Sequence, residues 1–281
     1  MDLRLVFDQI AEDYDRQRPL YTAQMFADIL QFCGPDNKGQ QALEIGIGTG
    51  QATRPFLQAG CRVTAVELGA HMAAVARKKY AAYPNLQVLQ ADFETVDLQL
   101  GRYDLIYSAS AFQWIDPEIG FPKVYALLRA GGVFARFGHA LYRLPQYAPL
   151  TAAMDAVYEK YRPQFYADPK ISLDKVHPQY RQVLTSLQPP VPDQKSPAIS
   201  FADQLAAHGF TSITYKTYQQ VLNYDADSYV ALLATNCDQL SLPAKTKQAF
   251  AAEIRDIIQR HGGRYALSDT IKLYLAKKPS R

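Results

Sequence analysis

Residues 42–50 constrain this chain more than any other stretch. The short apolar run Ala42-Leu43-Glu44-Ile45 passes directly into Gly46-Ile47-Gly48-Thr49-Gly50. A strand that ends in closely spaced glycines and opens a helix brings backbone against a ligand and aims helix N–H groups at it. A tight turn needed only for packing has the same appearance. The spacing is not the dinucleotide fingerprint, which needs a third glycine where Gln51 stands. A turn this compact leaves little room for a pyrophosphate and suits the amino-acid end of a ligand without phosphate. Glu44 can orient the turn, accept from an ammonium group, or cap nearby backbone N–H groups.

The glycine turn opens a regular alternation. Strands are predicted at 42–45, 62–66, 86–89, 103–107 and 132–137, with helices at 51–59, 70–82 and 121–129, the last stopped by Gly131-Gly132. An amphipathic helix capped by Thr22 precedes them at 22–33. Strands alternating with helices imply right-handed crossovers and a doubly wound α/β sheet covered on both faces. The rhythm breaks after His139. Residues 145–197 hold nine of the seventeen prolines, with a helix expected at 149–161; so long a connection reads as a lid or binding element. Ser200-Phe201-Ala202-Asp203 is a capping box, 213–218 a strand, 225–261 a helical stretch and 271–276 a final strand. The expected organisation is an N-terminal lid (1–34), a core (35–140), a cap insertion (141–199), core again (200–224), a second helical cap (225–262) and a closing core strand (263–281). The two insertions are expected to form a helical cap over the strand C-termini, where open α/β sheets bind ligands.

Two acidic residues stand in register with the turn. Glu67 ends the second strand, twenty-one residues after Gly46, which suits a carboxylate accepting from ribose hydroxyls; the other reading is a surface carboxylate. Asp92-Phe93 follows the third strand. Asp92 can accept from an adenine amine and the Phe93 N–H can donate to a ring nitrogen, or Asp92 can simply cap an Asx turn.

With these stations the sequence resembles the class I S-adenosylmethionine-dependent methyltransferases. The resemblance rests on Leu43 to Gly50, Val66-Glu67-Leu68, Gln90-Ala91-Asp92-Phe93, Tyr103-Asp104-Leu105-Ile106-Tyr107-Ser108 and Leu128-Arg129-Ala130-Gly131-Gly132, where Ala130 replaces the commoner proline. It covers residues 1–140 closely. It implies a seven-stranded, mostly parallel Rossmann-like sheet with an antiparallel last strand inserted between its predecessors, and S-adenosyl-L-methionine as cofactor. Gln51, Leu68, Ser108 and Gln113 join the glycines, Glu44, Glu67, Asp92 and Phe93 as implied cofactor contacts. The opening, Phe7-Asp8 through Tyr14-Asp15, Arg18-Pro19 and Tyr21, is similar to the small-molecule branch typified by trans-aconitate methyltransferase-like proteins. That similarity implies that Tyr14, Arg18 and Tyr21 close the site, with Arg18 pairing a carboxylate; an arm packed on the domain surface is the other reading.

Methyl transfer from a sulfonium needs alignment and dryness more than a strong base. Gln113 and Trp114 are implied at the boundary between cofactor and acceptor, with Trp114 alternatively a core residue. His139 is the candidate general base or acceptor contact. Tyr142, Tyr229, Asn236 and Asp238 are candidate acceptor contacts from the cap. The Asp/Asn-Pro-Pro-Tyr/Phe sequence of amino-methylating nucleic-acid enzymes is replaced by Ser108-Ala109-Ser110-Ala111, and the net charge is only +3, so a small-molecule acceptor is expected rather than nucleic acid. A secretory signal is not expected from the opening residues, no run reaches roughly 18 apolar residues, and the histidines and cysteines show no metal-ligand spacing. Three separated cysteines read as reduced thiols of a cytoplasmic protein. A homodimer is left open. The competing functional readings are a non-catalytic protein that binds S-adenosylmethionine or S-adenosylhomocysteine as sensor or scaffold, and an NAD-linked enzyme, disfavoured by Gln51.

Overall fold

The computed structural model describes residues 3–161, 200–240 and 242–280. Seven strands form one sheet in the order β3-β2-β1-β4-β5-β7-β6: β1 (Gln41–Ile45), β2 (Arg62–Glu67), β3 (Leu86–Gln90), β4 (Tyr103–Ala109), β5 (Leu128–Arg143), β6 (Thr211–Asp225) and β7 (Arg264–Lys277). β1 pairs in parallel with β2 and β4, β2 with β3, and β4 with β5. The last two strands reverse. Gly131 N–H donates to the Lys278 carbonyl and Lys278 N–H to that of Gly132, joining the start of β5 to the end of β7. Thr211 reaches the Lys277 carbonyl, and Gln220 reaches Asp269, so β6 and β7 also run antiparallel.

Around the strands lie α1 (Ala11–Gln17), α2 (Ala23–Cys33), α3 (Thr53–Gln58), α4 (Ala70–Lys79), α5 (Pro117–Leu127), α6 (Ala148–Tyr161), α7 (Phe201–Ala207), α8 (Ala226–Ala234), α9 (Cys237–Leu240) and α10 (Ala244–Arg260). A 3-10 turn, Leu3–Ile10, precedes α1. Alternate strand residues face opposite ways. Ala42, Leu105, Val133, Ala135 and Phe137 pack with Met25, Phe26 and Ile29 of α2 and Phe56 of α3. Their neighbours Leu43, Ile106 and Phe134 pack with Phe121 and Val124 of α5 and Leu205 of α7. Both faces of the sheet are therefore covered.

The described residues divide into two compact units. A sheet unit holds 20–139, 200–218 and 271–280. A helical unit holds 3–19, 140–161, 219–240 and 242–270. The helical unit has its own core, in which Leu150, Met154 and Val157 of α6 meet Tyr229 and Val230 of α8, Phe250, Ile254 and Ile258 of α10, and Tyr265 and Leu267.

Several boundaries differ from expectation. α2 belongs with the sheet rather than with an N-terminal lid, because its apolar stripe completes one face of the core. Residues 264–270 go with the helical unit, and the division on β6 falls after residue 218 rather than 224. α5 starts at Pro117, because the Asp116 side chain accepts from Glu118 N–H and Pro117 sits in the first turn, where its missing N–H costs nothing. It ends at Leu127. Gly131, at φ +73°, lies inside β5, where the pairing with β4 shifts register; it makes a bulge and not a helix stop. Ser200 and Asp203 form the expected capping box, whereas Thr22 makes no capping bond. The proline-rich part of the first insertion, 162–199, lies outside the described residues.

Candidate functional site

The glycine turn leaves β1 and enters α3. Gly46, Gly48 and Gly50 all have positive φ, at +70°, +57° and +86°, which side chains resist. Space also dictates two of them. A Cβ on Gly46 would lie 2.5 Å from the Ala111 Cβ, and one on Gly50 2.4 Å from the Tyr80 ring. Among the described residues, a Cβ on Gly48 would meet only Gln51 Oε1, at 3.9 Å.

Three polar anchors hold the turn. The Tyr80 hydroxyl donates to the Gly50 carbonyl at 2.6 Å. Glu67, at the end of β2, accepts from Gly48 N–H at 2.8 Å and from Gly69 N–H at 2.9 Å. Gln51 turns back to the Thr49 hydroxyl at 2.5 Å. Leu68, next after Glu67, is half-buried.

Glu44 lies beneath the turn and is 1% exposed. Its Oε2 accepts from the Thr53 hydroxyl of α3 at 2.8 Å and the Tyr107 hydroxyl of β4 at 2.9 Å. The other oxygen is buried without a hydrogen-bond partner among the described residues. Burial pushes the carboxyl up to about 8, against the pull of those two hydroxyls, so at neutral pH it is held as the uncharged acid. Glu44 thus ties strand, turn and helix together.

At the end of β3, Asp92 accepts from Glu94 N–H at 2.9 Å, the Asx-turn role. The Phe93 side chain enters the core, with Lys123 5.3 Å over its ring. At β4, Ser108 is fully buried and donates to the Ile45 carbonyl at 3.0 Å. Its hydroxyl serves the sheet interior, which departs from the cofactor contact the resemblance implies. Two residues on, Ser110 has φ +53°, a conformation rare outside glycine and often found at functional positions. Three bonds enforce it. Its N–H donates to Phe137, its carbonyl accepts from Gln113 Nε2, and its hydroxyl meets that of Tyr21 at 3.0 Å. Phe112 enters the core, and Trp114 is half-buried in the same 3-10 turn.

His139 lies within β5 and not beyond it, since the strand continues to Arg143. Its ring stacks on Tyr21, with centroids 4.2 Å apart and 22° between planes. The end of β4, Tyr21 and His139 thus come together. Ser110, Tyr80, Thr53 and Tyr107 had no signal in the sequence, because their roles depend on strand order and on a backbone angle.

The other expected contacts lie in the helical unit. Arg18 donates to the Thr235 carbonyl at 2.5 Å and to Asn236 Oδ1 at 3.1 Å, and stacks 4.8 Å over Tyr14. Tyr229 is 7% exposed, packed edge-on against Tyr265 in the core of that unit. Packing is the use the structure makes of it. Tyr142 is half-buried in β5. Asp238 lies on α9, and its side chain is outside the described atoms.

The sheet order and the glycine turn agree with the fold that the resemblance to class I methyltransferases implies. Residues 43–135 match the family profile of a methyltransferase domain. Over 150 residues the chain is 33% identical to a malonyl-[acyl-carrier protein] O-methyltransferase of Enterobacter lignolyticus, spanning 53% of this chain and 58% of that protein; it therefore covers little more than half of that relative's length. In structure it is similar to a candidate type II methyltransferase of Anaeromyxobacter dehalogenans (TM-score 0.57, 18% identity, 94% of this chain and 99% of that one). It is also similar to phosphoethanolamine N-methyltransferase 2 of Haemonchus contortus in complex with S-adenosyl-L-methionine (TM-score 0.50, 16% identity, 97% and 57%). At these identities the structures speak to the fold.

Proposed function

We propose that the protein is an S-adenosylmethionine-dependent methyltransferase acting on a small-molecule acceptor. The observation that carries this reading is the cradle itself: three left-handed glycines, with the Glu67 carboxylate bonded to the Gly48 N–H. Such a cradle accommodates the amino-acid arm of the cofactor, while Glu67 and Asp92 are suited to its ribose and adenine. Phe93 N–H and Leu68 would complete the adenine side. Glu44, already protonated and tied to Thr53 and Tyr107, acts as a support beneath the turn.

When bound, the sulfonium supplies an already activated methyl group. The chain's own task is to align an acceptor in line with it and keep water out. Gln113 and Trp114, in the turn after β4, and Tyr21, stacked on His139, are the residues suited to that task. His139 is the candidate to take a proton where the acceptor carries one; a carboxylate acceptor carries none. The relative named for malonyl-[acyl-carrier protein] O-methylation favours a carboxyl acceptor, free or carrier-linked. Among the described residues no helix is long and apolar enough to cross a membrane.

Calorimetric titration with S-adenosylmethionine and S-adenosylhomocysteine tests the reading. Glu67→Ala and Asp92→Ala should each cost about 1–3 kcal/mol of affinity. Affinity unchanged in both would refute the site. Formation of S-adenosylhomocysteine from small acids separates an enzyme from a sensor, and a malonylated carrier protein in the same assay separates free from carrier-linked acceptors.

A further inference from the structure

We infer that Arg136, with the hydroxyls of Ser110 and Tyr21, forms an anion site that holds a carboxylate of the methyl acceptor. The inference rests on the methyltransferase reading and adds to it a substrate class and an unassigned residue.

Arg136 stands on β5 opposite Ser108 of β4. Val133, Ala135 and Phe137 face the α2–α3 side of the sheet, so Arg136, like Phe134, faces the α5–α7 side. There its guanidinium lies 4.9 Å over the ring of Phe201. It is half-buried and makes no hydrogen bond or ion pair among the described residues. By contrast, Arg129 pairs with Asp104, and Arg143 makes two bonds to Asp155. Burial pulls the Arg136 pKa below its ordinary value, against the electrostatic pull of Tyr274 and Tyr21. A cation drawn out of water without a counter-charge is costly, and an aromatic face compensates only a little of that cost. Such a residue is suited to an anion that arrives from outside.

Its neighbours suit the same ligand. Gly138 is two residues further along β5 on the same face, one strand repeat of about 6.6 Å. A Cβ there would come within 3.1 Å of the Ser110 hydroxyl, so the glycine leaves that hydroxyl its place against β5. The strained Ser110 backbone aims the hydroxyl at Tyr21. A guanidinium fork and hydroxyls that can donate match the oxygens of a carboxylate. Ser110 follows the carboxyl end of β4, where open α/β sheets take ligands, and Arg136 stands one residue before the last β4–β5 pair, Ala109–Phe137. The glycine cradle, Glu67 and Asp92 stand at the ends of β1, β2 and β3, with β4 between them and β5, which favours the acceptor as the source of the anion.

The test uses the full chain saturated with S-adenosylhomocysteine. Malonate, succinate, glutarate and adipate are titrated by calorimetry, with their diamides as uncharged controls. At least one dicarboxylate should bind saturably and no diamide should. Arg136→Met should weaken that dicarboxylate at least about tenfold, the loss of one charged hydrogen-bonded contact, and Arg136→Lys should lie between. Affinity for S-adenosylhomocysteine should stay unchanged in both variants, and Arg136→Met should melt no lower than the parent, because it removes a charge without a counter-charge. Equal dicarboxylate binding by parent and Arg136→Met, or none by the parent, would overturn the site. So would a lower melting temperature for Arg136→Met together with unchanged dicarboxylate affinity in Arg136→Lys, which would make the residue a structural one. Failure to bind S-adenosylhomocysteine at all would instead refute the methyltransferase reading on which the site rests.

Discussion

Replacing Glu44 by glutamine should make the sheet unit more stable at alkaline pH while changing little in acid. The glutamine carbonyl can still accept from Thr53 and Tyr107, the two bonds that Glu44 Oε2 receives, so the change removes a titration and little else. In the native fold the carboxyl is pushed from 4.5 up to about 8 by burial. Between those values the folded chain holds a proton that the unfolded chain has released, so stability falls as pH rises through the window. The slope is about 1.4 kcal/mol per pH unit, and the whole window is worth at most about 5 kcal/mol. Below about pH 4.5 both states are protonated and above about pH 8 both are ionised, so the dependence levels off at each end. Trp114, the only tryptophan, lies in the sheet unit and gives a fluorescence signal for urea unfolding. Parent and variant would be unfolded at fixed pH values from 5 to 9, other titrating groups cancelling in the difference. The advantage of Glu44→Gln should grow with pH and reach its plateau near 8. A difference that stays flat across that range would mean that Glu44 is ionised in the fold, and the burial argument would fail.

Tyr107→Phe should extend the pH-dependent window above 8, because the lost hydroxyl is one of the two that lower the Glu44 pKa; the same urea series at pH 8 to 9 checks it. Gly50→Ala should abolish detectable S-adenosylhomocysteine binding and lower the melting temperature, since its Cβ would meet the Tyr80 ring at 2.4 Å from a backbone at φ +86°; near-parental calorimetry would refute the cradle. Ser200→Ala should cost about 1 kcal/mol in urea unfolding by removing a reciprocal helix cap.

The alternation of short apolar strands with helices was readable because Ala42, Leu105 and Val133 fall on one face and their successors on the other. The periodicity ran out where burial did. Residues 219–225 of β6 present alternately exposed side chains, and the part of β7 before the expected 271–276 includes Asp269, fully buried and accepting from Gln220. Glu67 was picked out by its distance from the turn, and in the structure it holds Gly48 N–H. Ser110 and Arg136 were passed over, because nothing in residue type or interval announces a left-handed serine or an arginine without a counter-charge. Tyr229 drew notice as a cap tyrosine, and its ring is spent on the packing of its own unit.

The place of β7 bears on how this chain comes off the ribosome. β7 is made after β6, yet it lies between β5 and β6. Until residues 264–277 have emerged, the outer edge of β5 has no partner and β6 has no neighbour to pair with. The nascent protein must therefore carry an open, adhesive sheet edge throughout synthesis of α8, α9 and α10. Closing it requires pairing across more than a hundred residues of sequence, which is slow. The interval before that closure is when this polypeptide is most exposed to misassembly with its neighbours and most in need of chaperone cover.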